Sequence, residues 1–224
     1  MSANLMSLAQ SGGKFLKLYG DRKMMKPLPY DAEVEYLEST SEQYIDTGLV
    51  YDSGEWDCRA VITALSSFHE NYVISQHSPG QGVVYAFVYI NDNRAFLAYR
   101  LNTAAYFTVP SDFWGKTYEW HAHYTNGHQT ISIGNLATIS ANEGWVNGAT
   151  QEGMRIIIGG MRTYGNRANG IRFGRIRIEH ENILVRDYIP VRVGDVGYFY
   201  DSVSGQLFLS QGTRAFIIGP DKAT

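Results

Sequence analysis

Residues 171–220, IRFGRIRIEHENILVRDYIPVRVGDVGYFYDSVSGQLFLSQGTRAFIIGP, decide the fold class. Ile176 and Ile178 alternate with Arg175, Arg177 and Glu179. That period of two sets one side of a strand in a core and the other in water. Asp201-Ser202-Val203-Ser204-Gly205 then supplies turn formers between Tyr198-Phe199-Tyr200 and Leu207-Phe208-Leu209, as a hairpin requires.

Working outward, the same pattern predicts strands over 34–38, 44–47, 56–65, 72–76, 83–90 and 95–101. Further strands are expected over 105–109, 117–124, 129–133, 155–158, 171–179 and 184–189. Asn91-Asp92-Asn93 closes one hairpin and Asn126-Gly127 another. Only 140–144 or part of the N-terminal segment has room for a short helix. Many short strands without βαβ alternation predict an all-β, antiparallel two-sheet jelly-roll sandwich.

The chain has 224 residues, a length that fits one large β-domain. Hydrophobic residues make up 44% and aromatic residues 13%, including 16 tyrosines, enough for a two-sheet core without staples. The net charge of −3 gives no nucleic-acid footprint. Cys58 is the single cysteine, so no intrachain disulfide forms, and a buried apolar role is expected. No stretch has the apolar length of a membrane span, and the first residues show no secretory signal.

Charge divides the chain near residue 30. Residues 1–30 hold five cations and one acid, a balance of +4, which leaves −7 for residues 31–224. This reads as a basic arm on an acidic domain. Lys14, Phe15, Lys17, Leu18, Tyr19, Arg22, Lys23 and Lys26 suit an acidic partner groove with apolar pockets.

Two motifs sharpen the reading. Glu35-Tyr36-Leu37-Glu38-Ser39-Thr40 leads into Gln43-Tyr44-Ile45-Asp46-Thr47-Gly48 near one end. Trp120-His121, Ile157-Ile158-Gly159-Gly160, Gly174-Arg175-Ile176, residues 185–190, Gly197-Tyr198-Phe199-Tyr200-Asp201 and Gly212-Thr213 follow. Together they resemble the concanavalin A-like (laminin-G-like) jelly-roll domains of phage and prophage structural proteins from gut bacteria. The resemblance spans residues 33–220. It implies a virion protein, such as a head fibre, capsid decoration or tail component, made in the host cytoplasm. Its expected partners are other virion proteins, its own copies in a closed ring such as a trimer, and a cell-surface glycan. Neither nucleic acid nor a membrane span is expected. A bacterial surface or secreted carbohydrate-binding module is the alternative, and a jelly-roll glycoside hydrolase the third.

The fold hosts lectins, hydrolases and purely structural modules, so function must come from particular residues. For a glycan these are Tyr85, Phe87 and Tyr89 on one strand, Arg94 and Arg100 across the hairpin, and Tyr164, Asn166, Arg167 and Asn169 on a loop. Aromatic rings stack on sugars while Arg and Asn bind hydroxyls. The nearest approach to a catalytic motif is Glu33-Val34-Glu35-Tyr36-Leu37-Glu38. A retaining glucanase needs two carboxyl groups about 5 Å apart, whereas Glu33 and Glu38 point to opposite faces of a regular strand. No catalytic residue is therefore assigned. His121 and His123 share a strand face, yet two histidines are too few for zinc, and no metal site is assigned. No cofactor is expected. Calcium is the alternative, because Asn91-Asp92-Asn93 and Asp52 offer oxygen ligands.

Overall fold

The computed structural model describes residues 27–50, 52, 54–67, 71–77, 84–99, 102–125, 128–142, 155–160 and 168–223. Every regular element among them is a strand. The first six are β1 (Ala32–Glu33), β2 (Leu37–Thr40), β3 (Ile45–Val50), β4 (Trp56–Ala64), β5 (Asn71–His77) and β6 (Val84–Asn91). Next come β7 (Arg94–Tyr99), β8 (Asn102–Thr108), β9 (Thr117–Thr125), β10 (His128–Ile133) and β11 (Ala137–Asn142). The chain ends with β12 (Arg155–Ile158), β13 (Asn169–His180), β14 (Ile183–Val193), β15 (Val196–Asp201), β16 (Gln206–Phe208) and β17 (Ile217–Ile218).

The larger sheet runs β11-β10-β9-β4-β13-β14-β15-β16, with β1 on β14, β2 on β13 and β17 on β2. The smaller sheet runs β3-β12-β5-β6-β7-β8. Every pairing is antiparallel. The all-β jelly-roll sandwich is thus the fold. The hairpins at Asp92-Asn93 and 201–205 form where the turn residues predict them. Thr125 pairs with His128, so β9 and β10 close as expected around the two residues between them.

Two expectations need correction. The strand read over 34–38 is broken: Val34 makes an isolated bridge to Asp221 after β1, and only Leu37 and Glu38 belong to β2. Val34 and Leu37 are both fully buried but stand three apart, an odd spacing that one straight strand cannot place on one face. The bend between them lets both reach the core. The short helix considered at 140–144 is also replaced where the chain is described. Ser140, Ala141 and Asn142 belong to β11, opposite Thr130, Gln129 and His128. Pairing there satisfies backbone groups that β10 would otherwise expose along its edge.

The core sits between the sheets and is filled by complementary sizes. Trp120 lies opposite Ala60, while Ala122 lies opposite Cys58. These small residues leave room for the indole without voids. Phe173, Tyr188, Phe199, Phe208 and Phe216 meet edge to face at centroid separations of 5.2–6.4 Å, the geometry aromatic quadrupoles favour. Cys58 is buried here, and loss of solvation, with Asp57 next to it, pushes its thiol pKa far up.

A bulge in β13 sets which side chains face water. Gly174 and Arg175 together oppose the single residue Val61 of β4, so the register shifts between Phe173 and Ile176. Before the bulge Ile171 and Phe173 are buried, and after it Ile176 and Ile178 are. Without that extra residue Arg175 and Arg177 would turn inward. Glycine is required there, since a Cβ at Gly174 would come within 2.9 Å of Val61 Cβ.

The 201–205 turn is held by Asp201, which is 0% exposed. Its Oδ1 accepts from the backbone N–H of Asp187 at 2.9 Å and of Val203 at 3.2 Å, and its Oδ2 from Ser204 N–H at 3.2 Å. Asp201→Ala strands these donors and should cost about 2–3 kcal/mol. Denaturant unfolding should show a lower midpoint with an unchanged slope.

Candidate functional site

The two family-like motifs prove to be structural. Gln43 Oε1 accepts from Thr40 N at 2.8 Å and Glu42 N at 3.2 Å, while its Nε2 donates to Ala215 O at 2.9 Å. Thr47 Oγ1 donates to Ile156 O at 2.8 Å, and Asp46 accepts from Gly48 N at 3.0 Å. Glu38 binds Arg172 Nε at 2.8 Å, and that guanidinium lies 4.3 Å over the Tyr36 ring. Glu33 meets Lys222 at 3.3 Å instead. Glu33 and Glu38, the outer acids of the run 33–38, therefore sit on two strands, each with its own cation.

The outer face of the larger sheet carries a row of polar side chains. Trp120, Ala122 and Tyr124 point inward, so His121 and His123 turn outward, as the alternation predicts. Asp57 of β4 gathers them: its Oδ2 contacts His121 Nε2 and lies 3.4 Å from His123 Nδ1. Its Oδ1 accepts from Arg59 Nε at 3.1 Å. Across the sheet, Ser132, His121, Arg59, Arg177 and Asp187 fall in one cross-strand row. Beside this row an open depression of about 140 Å³ is lined by Arg59, Ala60, Val61, Glu119, Arg175 and Arg177.

Arg175 closes one side of that depression through a two-point grip on Asp187, at 2.7 and 2.5 Å. Ser202 Oγ adds a third donor at 2.9 Å. The hydrogen bonds from Arg175 hold the Asp187 carboxyl below its usual range, although burial pulls the other way.

The smaller sheet carries the aromatic residues expected to meet sugar. Tyr85 is opposite Tyr99 and Tyr89 opposite Phe96, with a register shift between Ala86 and Tyr89. Tyr99 and Phe96 are three apart, so a bulge interrupts the strict alternation read for Tyr85, Phe87 and Tyr89. Arg94 opens β7, and its guanidinium lies 4.5 Å over the ring of Tyr106 in β8. Tyr106 is 49% exposed and is in register with Phe96. Asn169 belongs to the larger sheet, opposite Thr40. Arg100, Tyr164, Asn166 and Arg167 lie outside the described residues, as does the whole set of arm residues from Lys14 to Lys26.

Asp52, considered for calcium, has its Oδ1 engaged by Gly54 N at 2.9 Å, Trp56 Nε1 at 3.2 Å and His180 Nε2 at 2.9 Å. Asp92 sits in the β6–β7 turn on the other sheet. Among the described residues, no group of three or more His, Cys, Asp or Glu is placed to hold a metal ion. Sequence reasoning passed over Tyr106, Arg59, Arg177 and Glu119. Their outward alternation was visible, but the register that brings them together was not.

No family model matches the chain, and no curated protein matches it by sequence. Solved structures do resemble it. A Bacteroides ovatus protein named a "putative carbohydrate binding protein" superimposes with a TM-score of 0.52 at 14% identity, over 88% of this chain and 62% of that one. Mouse laminin α1 domains LG4-5 give 0.48 at 10% identity, over 85% and 71%. The enzymatically active domain of tailspike protein 2 from bacteriophage CBA120 gives 0.36 at 10% identity, over 71% and 30%. The first likeness agrees with the all-β jelly-roll sandwich described above. This chain spans about three fifths of the Bacteroides ovatus protein.

Asp187 yields a pH test. A carboxyl held low in the folded state stabilises the protein above its unfolded value of about 3.9, and that gain is lost as pH falls through the folded value. Arg175→Ala should therefore lower stability at pH 7, and the gap from wild type should narrow below about pH 4. Denaturant unfolding of both proteins at the two pH values measures it.

Proposed function

We propose that this chain is a noncatalytic virion structural protein whose jelly roll binds glycans of a host surface. The observation that carries the binding role is the exposed Tyr106 ring beneath the Arg94 guanidinium. A sugar's C–H face packs on such a ring, while the guanidinium donates to hydroxyls beside it. Tyr85, Phe87, Tyr89, Arg100, Tyr164, Asn166 and Arg167 extend the same role in this proposal. The name of the Bacteroides ovatus neighbour supports carbohydrate as the ligand class. The placement of Glu33 and Glu38 on separate strands, each beside a cation, supports binding without hydrolysis.

The virion role rests on the resemblance of the motifs and on the split between a +4 arm and a −7 domain. Opposite charge would orient the arm on a capsid or tail surface, and its apolar residues would hold it there. Sheet-edge strands β3, β8, β11 and β16 suit a closed homo-oligomer, a trimer in this proposal, because symmetric packing covers unpaired edges. A bacterial surface or secreted carbohydrate-binding module would use the same sheet face without the arm's docking role.

Two experiments test this reading. On an array of neutral cell-surface glycans the protein should bind at least one without shortening it, and Tyr106→Ala should weaken that binding roughly tenfold. Retention of full affinity by Tyr106→Ala would remove the site. In the second, protein lacking residues 1–30 should fold yet fail to join virions or reconstituted capsids. Incorporation equal to full-length protein would favour the bacterial module.

A further inference from the structure

We propose that the depression between β9, β4 and β13 is a second binding site, for an anionic sugar. Its carboxylate or sulfate group sits between Arg59 and Arg177, and its neighbouring hydroxyls donate to Glu119. The proposal rests on the glycan-binding reading above but concerns the opposite sheet.

Arg59 and Arg177 are direct cross-strand partners. Like charges placed opposite one another destabilise a sheet, and a bound anion between them adds to the offset that Asp57, Asp187 and Glu179 already give. Two of the acids nearby are already engaged. Asp57 takes Arg59 Nε and both histidines, and Asp187 is gripped by Arg175 at two points. Glu179 stands 3.6 Å from Arg177 Nη2, too far for a hydrogen bond.

Arg177 Nε is buried and has no hydrogen-bond partner. A buried N–H without an acceptor is costly, and it lies on a guanidinium that lines the depression. A planar anion in the depression would meet the solvent-reaching end of Arg177, whose side chain is 43% exposed, and the remaining donors of Arg59 with charge-assisted bonds. Ala60 and Val61 line the same depression and give an apolar contact.

Glu119 selects among anions. A carboxylate on the rim opposes a bare multivalent ion but accepts from hydroxyls, so a singly charged group flanked by hydroxyls fits best. The row continues through His121 to Ser132, four strands in all. At a strand spacing of about 4.8 Å that is ~14 Å, room for an oligosaccharide rather than one ring.

The test is calorimetric titration of the full chain with oligogalacturonate, a sulfated dextran oligosaccharide and a neutral cello-oligosaccharide of equal length. At least one anionic ligand should bind, more weakly as sodium chloride rises, and which of the two binds separates carboxylate from sulfate. Arg177→Gln and Arg59→Gln should each weaken it about tenfold or more. Neither should lower the unfolding midpoint, because each relieves the like-charge pair; a purely structural arginine would show the reverse. No anionic binding, anionic binding unchanged in both variants, or a lowered midpoint in both would overturn the proposal. Absence of anionic binding together with neutral-glycan binding that Tyr106→Ala abolishes would keep the general reading alive while this site fails.

Discussion

Parity along β13 is the constraint on which the rest depends. A strand offers alternate residues to opposite faces, and one inserted residue exchanges the two. The bulge opposite Val61 makes that exchange in mid-strand, so the first half buries Ile171 and Phe173 and the second buries Ile176 and Ile178. Both sheet neighbours follow. β4 keeps Cys58 and Ala60 inward against the second half, and β14 brings Asp187 within reach of Arg175. The polar row of the larger sheet is therefore a product of one glycine and the close approach it permits.

Charge on that face is organised around acids. Asp57, Asp187 and Asp201 each collect several donors, and each stands at a different depth. Asp201 is fully enclosed and serves the backbone of a turn. Asp187 is nearly enclosed and holds a guanidinium that reaches solvent. Asp57 lies at the surface and ties histidines to an arginine. Exposed pairs of the last kind contribute little to stability. Their value is geometric, because they fix which nitrogen atoms remain available for a ligand.

The sandwich was legible because period-two alternation survives in β4, β9 and β13, and because turn residues at Asp92-Asn93 and 201–205 chose the hairpins. β11 was missed since Ile139 is its only large apolar residue, and its pairing comes from the needs of β10 rather than from its own pattern. The break between Val34 and Leu37 followed from odd spacing that a local reading smooths over. Sites were harder. Arg175 and Arg177 read as ordinary solvent-facing residues, and Glu119 was not singled out. Only cross-strand register, which no single segment encodes, sets Arg59 against Arg177. Tyr106 escaped for the same reason, as its partner Arg94 comes from the neighbouring strand.

Cys58 gives the molecule a built-in clock. It is the single thiol, and it sits on β4, which is paired on both sides by β9 and β13. A modifying reagent reaches the sulfur only when that central strand parts from a neighbour, since the folded environment both covers the thiol and keeps it protonated. The rate of labelling in native buffer therefore counts openings of the middle of the larger sheet. Fraying at the sheet edges or around the distant turns leaves the count unchanged.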